Sequence, residues 1–394
     1  MDEENKKRVI IFSTAYLPLV GGAEVAVKEI TYHLGDIHKF YLVTAKIRKG
    51  LPSYEKIGKV DVYRVGFGLN IDKYLLPFLG VFRALGVIGG GGEEKPLIWA
   101  IMASYGGIGA LFLKVIRPKW PFLLTLQEGD SEAHILGRVG VFYPLWRQIF
   151  RRADYIQVIS NYLKEFAVKY GARCPVEVVG NGVDLEKIKS SKIKNQNDGE
   201  KLKNKEKKKE FIILTVSRLV RKNGVDTLIR VMTNDKIQMT NSKLIIVGDG
   251  EERKNLEELV RDLRLEDKVI FAGEIKLEEV IEYYAAADVF VRLSRSEGFG
   301  NVFIEAMAAG CPVVATRVGG IVDFARDGEN CLLVEPEDAA GAAKAIEKIL
   351  TDGELAERLR EGGLKTAEEY DWGKIAFKIG TILKNLKIKN QSEK

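Results

Sequence analysis

The chain of 394 residues has little cysteine, little histidine and no long apolar run. Cys174, Cys311 and Cys331 form no Cys-x-x-Cys pair. That argues against a disulfide scaffold or a cysteine-rich metal site, and fits a reducing compartment. His33 and His38 stand five apart and His134 far off, and with no Cys-x-x-Cys pair to join them a zinc site is not expected. No aspartate stands two residues from another, so that pair of cation ligands is missing as well. No stretch is long enough to cross a bilayer. The apolar segment from Tyr74 to Ile88 is interrupted by Pro77, Gly80, Arg83 and Gly86, and is expected to lie on the surface or be buried. The opening MDEENKKRVIIFST lacks the apolar core and cleavage site of a secretory signal, so a cytoplasmic location is expected.

Excess charge is confined to one place. The net charge is +6, but residues 187–209 carry ten lysines against Asp198, Glu200 and Glu206. The rest of the chain therefore sums to about −1, which gives no basic face for nucleic acid. The Lys-rich stretch has almost no large apolar side chain and is expected to be a solvated linker or insertion over residues 186–210.

On either side of it, short Val/Ile/Leu runs alternate with amphipathic ones. Strands are expected at Arg8–Thr14, Phe40–Ala45, Val60–Val65, Leu97–Ala103, Phe122–Leu126, Tyr155–Ser160 and Val176–Val179. A second series falls at Phe211–Ser217, Lys243–Val247, Val269–Ala272, Val289–Leu293, Pro312–Thr316 and Cys331–Val334. Continuous apolar strands separated by helical patterns predict two parallel, doubly wound α/β sheets. Asn161 is expected to cap a helix, with Gly35 and Gly171 as stops. Gly89–Gly92 precedes no helix start and is expected to be a loop. Ligands of such sheets bind beyond the carboxyl ends of the strands, so the expected site is the cleft between the two domains.

Three strand-to-helix junctions carry chemistry. The most informative is Ser296–Glu297–Gly298–Phe299–Gly300–Asn301–Val302–Phe303–Ile304–Glu305. Gly298 and Gly300 allow a tight turn and close approach, and the amides around Gly300, Asn301 and Val302 form an anion site at a helix start. Glu297 precedes that site and Glu305 follows it by one turn. Each carboxylate can accept both hydroxyls of a vicinal diol; solvated glutamates on a capped surface helix are the plainer alternative. The second junction, Val216 to Asp226, holds Arg218, whose planar fork suits phosphate oxygens, and Lys222. The third is Gly21–Gly22, opening a helix after the first strand.

Together these elements resemble the retaining GT-B glycosyltransferases of family four (glycosyl transferases group 1), over nearly the whole chain. Gly180–Asn181–Gly182–Val183–Asp184, Asp323, Gly328, Asn330 and Tyr370–Asp371–Trp372 add to the match. The resemblance implies two Rossmann-like domains facing each other across a cleft. They would be an acceptor domain over 1–185 and a nucleotide-sugar domain over 211–368, with a final helix, 369–394, returning to the first. It implies a retaining, metal-independent hexosyltransferase that uses a UDP- or GDP-sugar and a saccharide, lipid-linked or small-molecule acceptor, with no cofactor. Glu297 would contact the donor sugar, Glu305 the ribose, and Arg218 the diphosphate. Asn301 and Val302 would cradle the distal phosphate, the backbone at Ile275 would read the base, and Gly21 and Gly22 would line the cleft.

Two positions depart from the family pattern. Asn223 stands where a lysine is usual, with Lys222 one residue early. The first domain has Thr125–Leu126–Gln127–Glu128–Gly129–Asp130 in place of a strand followed by histidine. Gln127 can bond a sugar hydroxyl but cannot act as a base. Glu128 and Asp130 are candidate sugar or acceptor contacts, or solvated loop acids. An epimerase, a phosphorylase or a silent sugar-nucleotide-binding subunit on the same architecture are the alternative functions. The runs Tyr74–Ile88 and Arg138–Arg152 suit peripheral contact with the inner face of an anionic membrane, or a core-facing helix with a solvated face.

Overall fold

In the computed structural model, residues 6–19, 21–88, 95–188, 190 and 210–392 are described. Most of the expected Lys-rich linker and the whole Gly89–Gly92 run lie outside them. The chain divides into two units, one comprising residues 1–181 with 372–394 and the other Gly182–Asp371. These limits fall a few residues from the boundaries at 185 and 369 that the sequence suggests.

The first unit is built on an eight-stranded sheet: β1 (Lys7–Phe12), β2 (His38–Ala45), β3 (Tyr54–Ile57), β4 (Val60–Val65), β5 (Leu97–Ile101), β6 (Phe122–Leu126), β7 (Tyr155–Val158) and β8 (Val176–Val178). Their order is β3-β4-β2-β1-β5-β6-β7-β8. Every pairing is parallel except β3 with β4. Strands β5 and β6 are buried at every position, as covering of both faces requires. Strand β3 is absent from the expected series. It is an edge strand with two exposed residues and two half-buried ones, so its sequence, Tyr-Glu-Lys-Ile, carries no apolar run.

The second unit has six strands: β9 (Phe211–Val216), β10 (Ser242–Val247), β11 (Val269–Gly273), β12 (Val289–Arg292), β13 (Val313–Thr316) and β14 (Leu332–Val334). All pair in parallel, in the order β11-β10-β9-β12-β13-β14. Both sheets reverse strand order beside their first strand, between β1 and β5 and between β9 and β12. Loops diverge at such a point and leave a crevice at the carboxyl ends. Leu214 and Phe290 pair across the second switch point with no exposed surface. Each contributes about 1.5–3 kcal/mol of burial to holding the two loops above them in place.

Local signals explain most helix limits, with corrections. Ser160, not Asn161, caps the helix Asn161–Lys169, its hydroxyl accepting from the Leu163 amide at 3.3 Å. Gly171 turns at φ +109°, as a stop should, but Gly35 is right-handed at φ −70°. What Gly35 provides is room, because a Cβ there would press on Lys59 and the Thr31 carbonyl.

The segment Tyr74–Ile88 lies within a helix, Asp72–Ile88, that is both buried and surface-lying. Leu76, Gly80, Val81 and Ala84 face the core, while Phe78 and Phe82 are 59% and 75% exposed. The Arg138–Arg152 run is different. Trp146, Ile149 and Phe150 of the helix Tyr143–Arg152 are buried, and Trp146 and Phe150 pack with Phe166 and Tyr170. The helix Tyr143–Arg152 of that run is core-facing, while Val141 and Phe142 in the turn before it are exposed.

Candidate functional site

Two loops rise from the switch point of the second unit, and backbone contacts lock them together. The loop after β9 runs through Arg218 to a 3₁₀ turn, Arg221–Asn223, and then Gly224. The loop after β12 runs from Leu293 to Gly300. The Arg295 amide donates to the Lys222 carbonyl at 2.7 Å. Gly224, at φ +65°, lies so close to Leu293 that any Cβ would overlap the Leu293 carbonyl oxygen. The Arg295 side chain adds a clamp, paired with Asp226 at 2.8 Å and with Glu337.

Beneath this junction sits a polar cluster. Arg292, the last residue of β12, donates through Nη2 to Asn223 Oδ1 at 2.7 Å and lies 2.8 Å from Glu297 Oε2. Its Nε donates to Ser294 Oγ at 3.1 Å. Asn223 in turn donates to the Arg218 carbonyl at 2.6 Å. The cluster therefore ties Glu297 to the backbone that carries Arg218. Glu297 is further set by the Gly298 amide, 3.1 Å from its Oε1. Its carbonyl accepts from Gly320, and Gly319, at φ +51°, packs against that carbonyl.

Glu305 follows one turn into the helix Asn301–Ala308, and its Oε2 accepts from the Tyr284 hydroxyl at 3.0 Å. Burial pushes the Glu305 carboxyl up from its ordinary value, against the pull of Tyr284 and Arg292. The Tyr284 phenol is pushed well up by burial and by Glu305.

Arg218 contrasts with these residues. Its side chain is exposed and makes no hydrogen bond or ion pair among the described residues. An arginine left exposed at a strand end is available to a ligand. Lys222 is half-buried in the 3₁₀ turn.

The helix Asn301–Ala308 starts at Gly300, φ +96°, which supplies no side-chain cap. Its first amides, on Asn301 and Val302, therefore head a helix dipole with no N-cap side chain over them. Gly298 is buried, whereas the Phe299 side chain goes into the core against Phe324 and Tyr370. Only the backbone of Phe299 is left to meet a ligand. Ile275 is half-buried in the loop after β11, two strands from β9.

In the first unit, Thr14 and Ser104 hydroxyls bridge the loops after β1 and β5 at 2.9 Å. Gly21 precedes the helix Gly22–Leu34 in extended conformation. The Glu24 carboxyl folds back to the Gly21 amide, and burial raises its pKa although backbone hydrogen bonds oppose that. A carboxyl already occupies this helix start, so the loop suits a hydroxyl better than a phosphate.

After β6, Gln127 accepts from Asn181 at 3.3 Å, and Asp130 pairs with Arg138 at 3.2 Å. Glu128 is only 6% exposed. Its Oε1 accepts from the Ala103 amide at 2.9 Å, while Oε2 is buried without a partner. Burial pushes this carboxyl above the usual range. Its folded form is favoured while protonated, and that contribution is lost as pH rises from the ordinary carboxylate range through the raised value. Glu128→Gln keeps the acceptor for Ala103 and removes the charge. It should match the wild type near pH 4 and melt a few degrees higher at pH 8, gaining ~1.4 kcal/mol for every tenfold by which burial weakens the acid. Melting curves across that range test this; a constant difference refutes it.

The sequence does not point to Arg292, Tyr284, Arg295 or Gly319. Arg292 falls inside an apolar strand run and Tyr284 inside a helix, so neither carries a local signal. No group of three or more His, Cys, Asp or Glu residues that could hold a metal ion occurs among the described residues. No helix there is long and apolar enough to cross a membrane. The arrangement in the second unit can bind an anion at the helix start, neutralise it with guanidinium and hold hydroxyls on two carboxylates.

The family model described as glycosyl transferases group 1 matches residues 196–366, and the model for glycosyltransferase family 4 matches residues 20–187. A lipopolysaccharide core biosynthesis glycosyltransferase of Rhizobium meliloti is 35% identical over 304 residues, 76% of each chain. Sucrose-phosphate synthase from Thermosynechococcus elongatus has the same fold, with a TM-score of 0.79 at 24% identity, covering 97% of this chain and 99% of that one. HepE of Anabaena, solved with UDP and glucose, gives a TM-score of 0.75 at 21% identity, covering 96% of this chain and 100% of its own.

Proposed function

The chain belongs to the family 4 (group 1) glycosyltransferases with a GT-B fold, and from that premise we propose that it moves a hexosyl group from a UDP- or GDP-sugar to a saccharide or lipid-linked acceptor, with retention and without a metal. The observation that carries this is one switch point bearing an exposed Arg218, a helix start at Asn301 whose N-cap, Gly300, has no side chain, and Glu297 and Glu305 on either side of it. The HepE structure holds UDP and glucose, and the Rhizobium relative is named for building a lipopolysaccharide core. Both support the donor and acceptor classes.

In this reading Arg218 and the Asn301 and Val302 amides bind the diphosphate, and Lys222 adds charge at its rim. Glu297 holds donor-sugar hydroxyls, Glu305 the ribose, and the backbone at Ile275 the base edge. The bond from the anomeric carbon to the phosphate oxygen breaks, and its electron pair stays on the nucleoside diphosphate. The acceptor oxygen bonds to that carbon on the same face, and its proton passes to the departing phosphate. Preorganised donors around the developing negative charge supply most of the rate enhancement. In the first unit, the unpartnered Glu128 oxygen and Gln127 take acceptor hydroxyls.

The test is a thermal-shift screen of UDP-, GDP- and ADP-sugars, followed by transfer to saccharide and lipid-linked acceptors. The stabilising donor should be consumed only with acceptor and give a retained anomer, equally well in EDTA. Turnover without acceptor, an inverted product, or loss in EDTA that Mg²⁺ or Mn²⁺ restores would each defeat the part it addresses.

A lipid-linked acceptor makes membrane contact useful. The outer face of Asp72–Ile88 supports it: Phe78, Leu79 and Phe82 are exposed beside Lys73 and Arg83, and the helix's one acid, Asp72, is buried. We expect binding to phosphatidylglycerol vesicles at low salt. Phe78→Asp with Phe82→Asp should weaken it at least about 100-fold, from ~1.5–3 kcal/mol per phenylalanine. Unchanged sedimentation with vesicles would reject the contact.

A further inference from the structure

One buried cation of the second unit, Arg292, is not among the donor contacts assigned so far. Arg292 and Glu297 are 10% and 12% exposed at their side chains, yet Arg292 is held as firmly as a core residue. Nε is anchored on Ser294 and Nη2 on Asn223, and Glu297 Oε2 lies 2.8 Å from Nη2 as an ion pair without hydrogen-bond geometry. The guanidinium lies 5.9 Å from the Phe303 ring centroid and acts electrostatically on Glu305. Nη1 makes no hydrogen bond among the described residues and is not sealed among the buried unpartnered atoms.

Charge balance gives this residue a task. Glu297 and Glu305 bring two carboxyls to the anion site, and a diphosphate brings about two further negative charges. Arg218 alone does not offset them. Asn223 cannot help, since its amide is neutral and both its ends are engaged, one by the Arg218 carbonyl and one by Arg292. Lys222, half-buried in the 3₁₀ turn, brings one further positive charge, which still leaves the site short.

We infer that Arg292 is the second guanidinium of the donor site, anchored by Ser294 and Asn223 so that it pairs with Glu297 and presents Nη1 to the diphosphate. The inference rests on the donor reading under Proposed function. A guanidinium suits the position because its planar fork can keep two fixed bonds and still offer a third nitrogen. An ammonium reaching from residue 292 would have to give up one of them.

Calorimetric titration of the full chain tests this. The probes are the diphosphate among UDP, GDP and ADP that the wild type binds most tightly, and the matching nucleoside. Arg292→Gln should weaken diphosphate binding at least about tenfold and leave nucleoside binding within about twofold, as loss of one charge-assisted contact implies. Adding Asn223→Lys to Arg292→Gln returns a positive charge from the neighbouring residue and should recover most of the lost diphosphate affinity. Equal loss for both probes, or no loss, overturns the inference. If Arg292→Gln does not fold, the double variant decides. A folded double variant that binds nucleoside but not diphosphate overturns the inference. So does failure of both to fold, which would leave Arg292 a purely structural role. A wild type that binds none of the three diphosphates defeats the donor reading itself.

Discussion

Glu297→Gln is expected to lower kcat/KM for glycosyl transfer about 100- to 1000-fold while leaving the chain folded, a loss of ~3–4 kcal/mol of transition-state stabilisation. The choice of glutamine matters. Glu297 is both the proposed sugar ligand and the partner of the largely buried Arg292. Removing it as alanine leaves a guanidinium unpaired, which costs about 3–5 kcal/mol of stability. Glu297→Ala therefore loses activity for two reasons at once, whereas glutamine removes the same charge but keeps the side chain's shape and an oxygen toward Arg292, so less of its loss comes through the fold. Arg218 provides the complementary case. Its side chain is exposed and unpaired among the described residues, so Arg218→Ala should change stability by no more than about 0.5 kcal/mol. Its transfer rate should nonetheless fall about 100-fold. Initial rates with donor and acceptor varied, beside urea melts of each variant, separate the two effects. Full activity in Glu297→Gln and Arg218→Ala together would remove the basis of the proposed site.

Gly319→Ala should cost the second unit about 2–4 kcal/mol of stability. Two costs combine there. The residue sits at φ +51°, and its Cβ would overlap the Glu297 carbonyl oxygen, which must also accept from Gly320. Backbone cannot move aside as a flexible side chain can, so relief requires Glu297 itself to shift. For a unit of this size, the melting transition should fall by about 5–15 °C, and donor turnover should fall with it. Gly328 is the control: φ is +76° but nothing lies within 4 Å of a Cβ there. Gly328→Ala should cost only the conformational strain, about 1 kcal/mol, and leave turnover unchanged. Equal effects at both positions would mean that the Gly319–Glu297 contact does not position the site.

The amino-acid sequence by itself determined the two strand–helix series, because continuous apolar runs and glycine stops are local properties. It also marked Glu297, Gly300 and Glu305, whose spacing around a helix start survives any packing of the rest. What it could not carry were contacts between residues far apart in the chain. Arg292 reads as one polar residue in a strand until the order β9-β12 brings it to Asn223, 69 positions away. Gly319 reads as an ordinary loop glycine until β13 pairs beside β12 and sets it on the Glu297 carbonyl. Phe299 shows the reverse, a motif residue whose side chain the core claims. Burial then separates two loop acids: Asp130 is held by Arg138, while Glu128, only two residues before it, is left with an unpartnered oxygen. Local pattern specifies which elements form, and the pairing order of the strands specifies which charges meet, since only the assembled sheet brings distant loops within hydrogen-bonding distance.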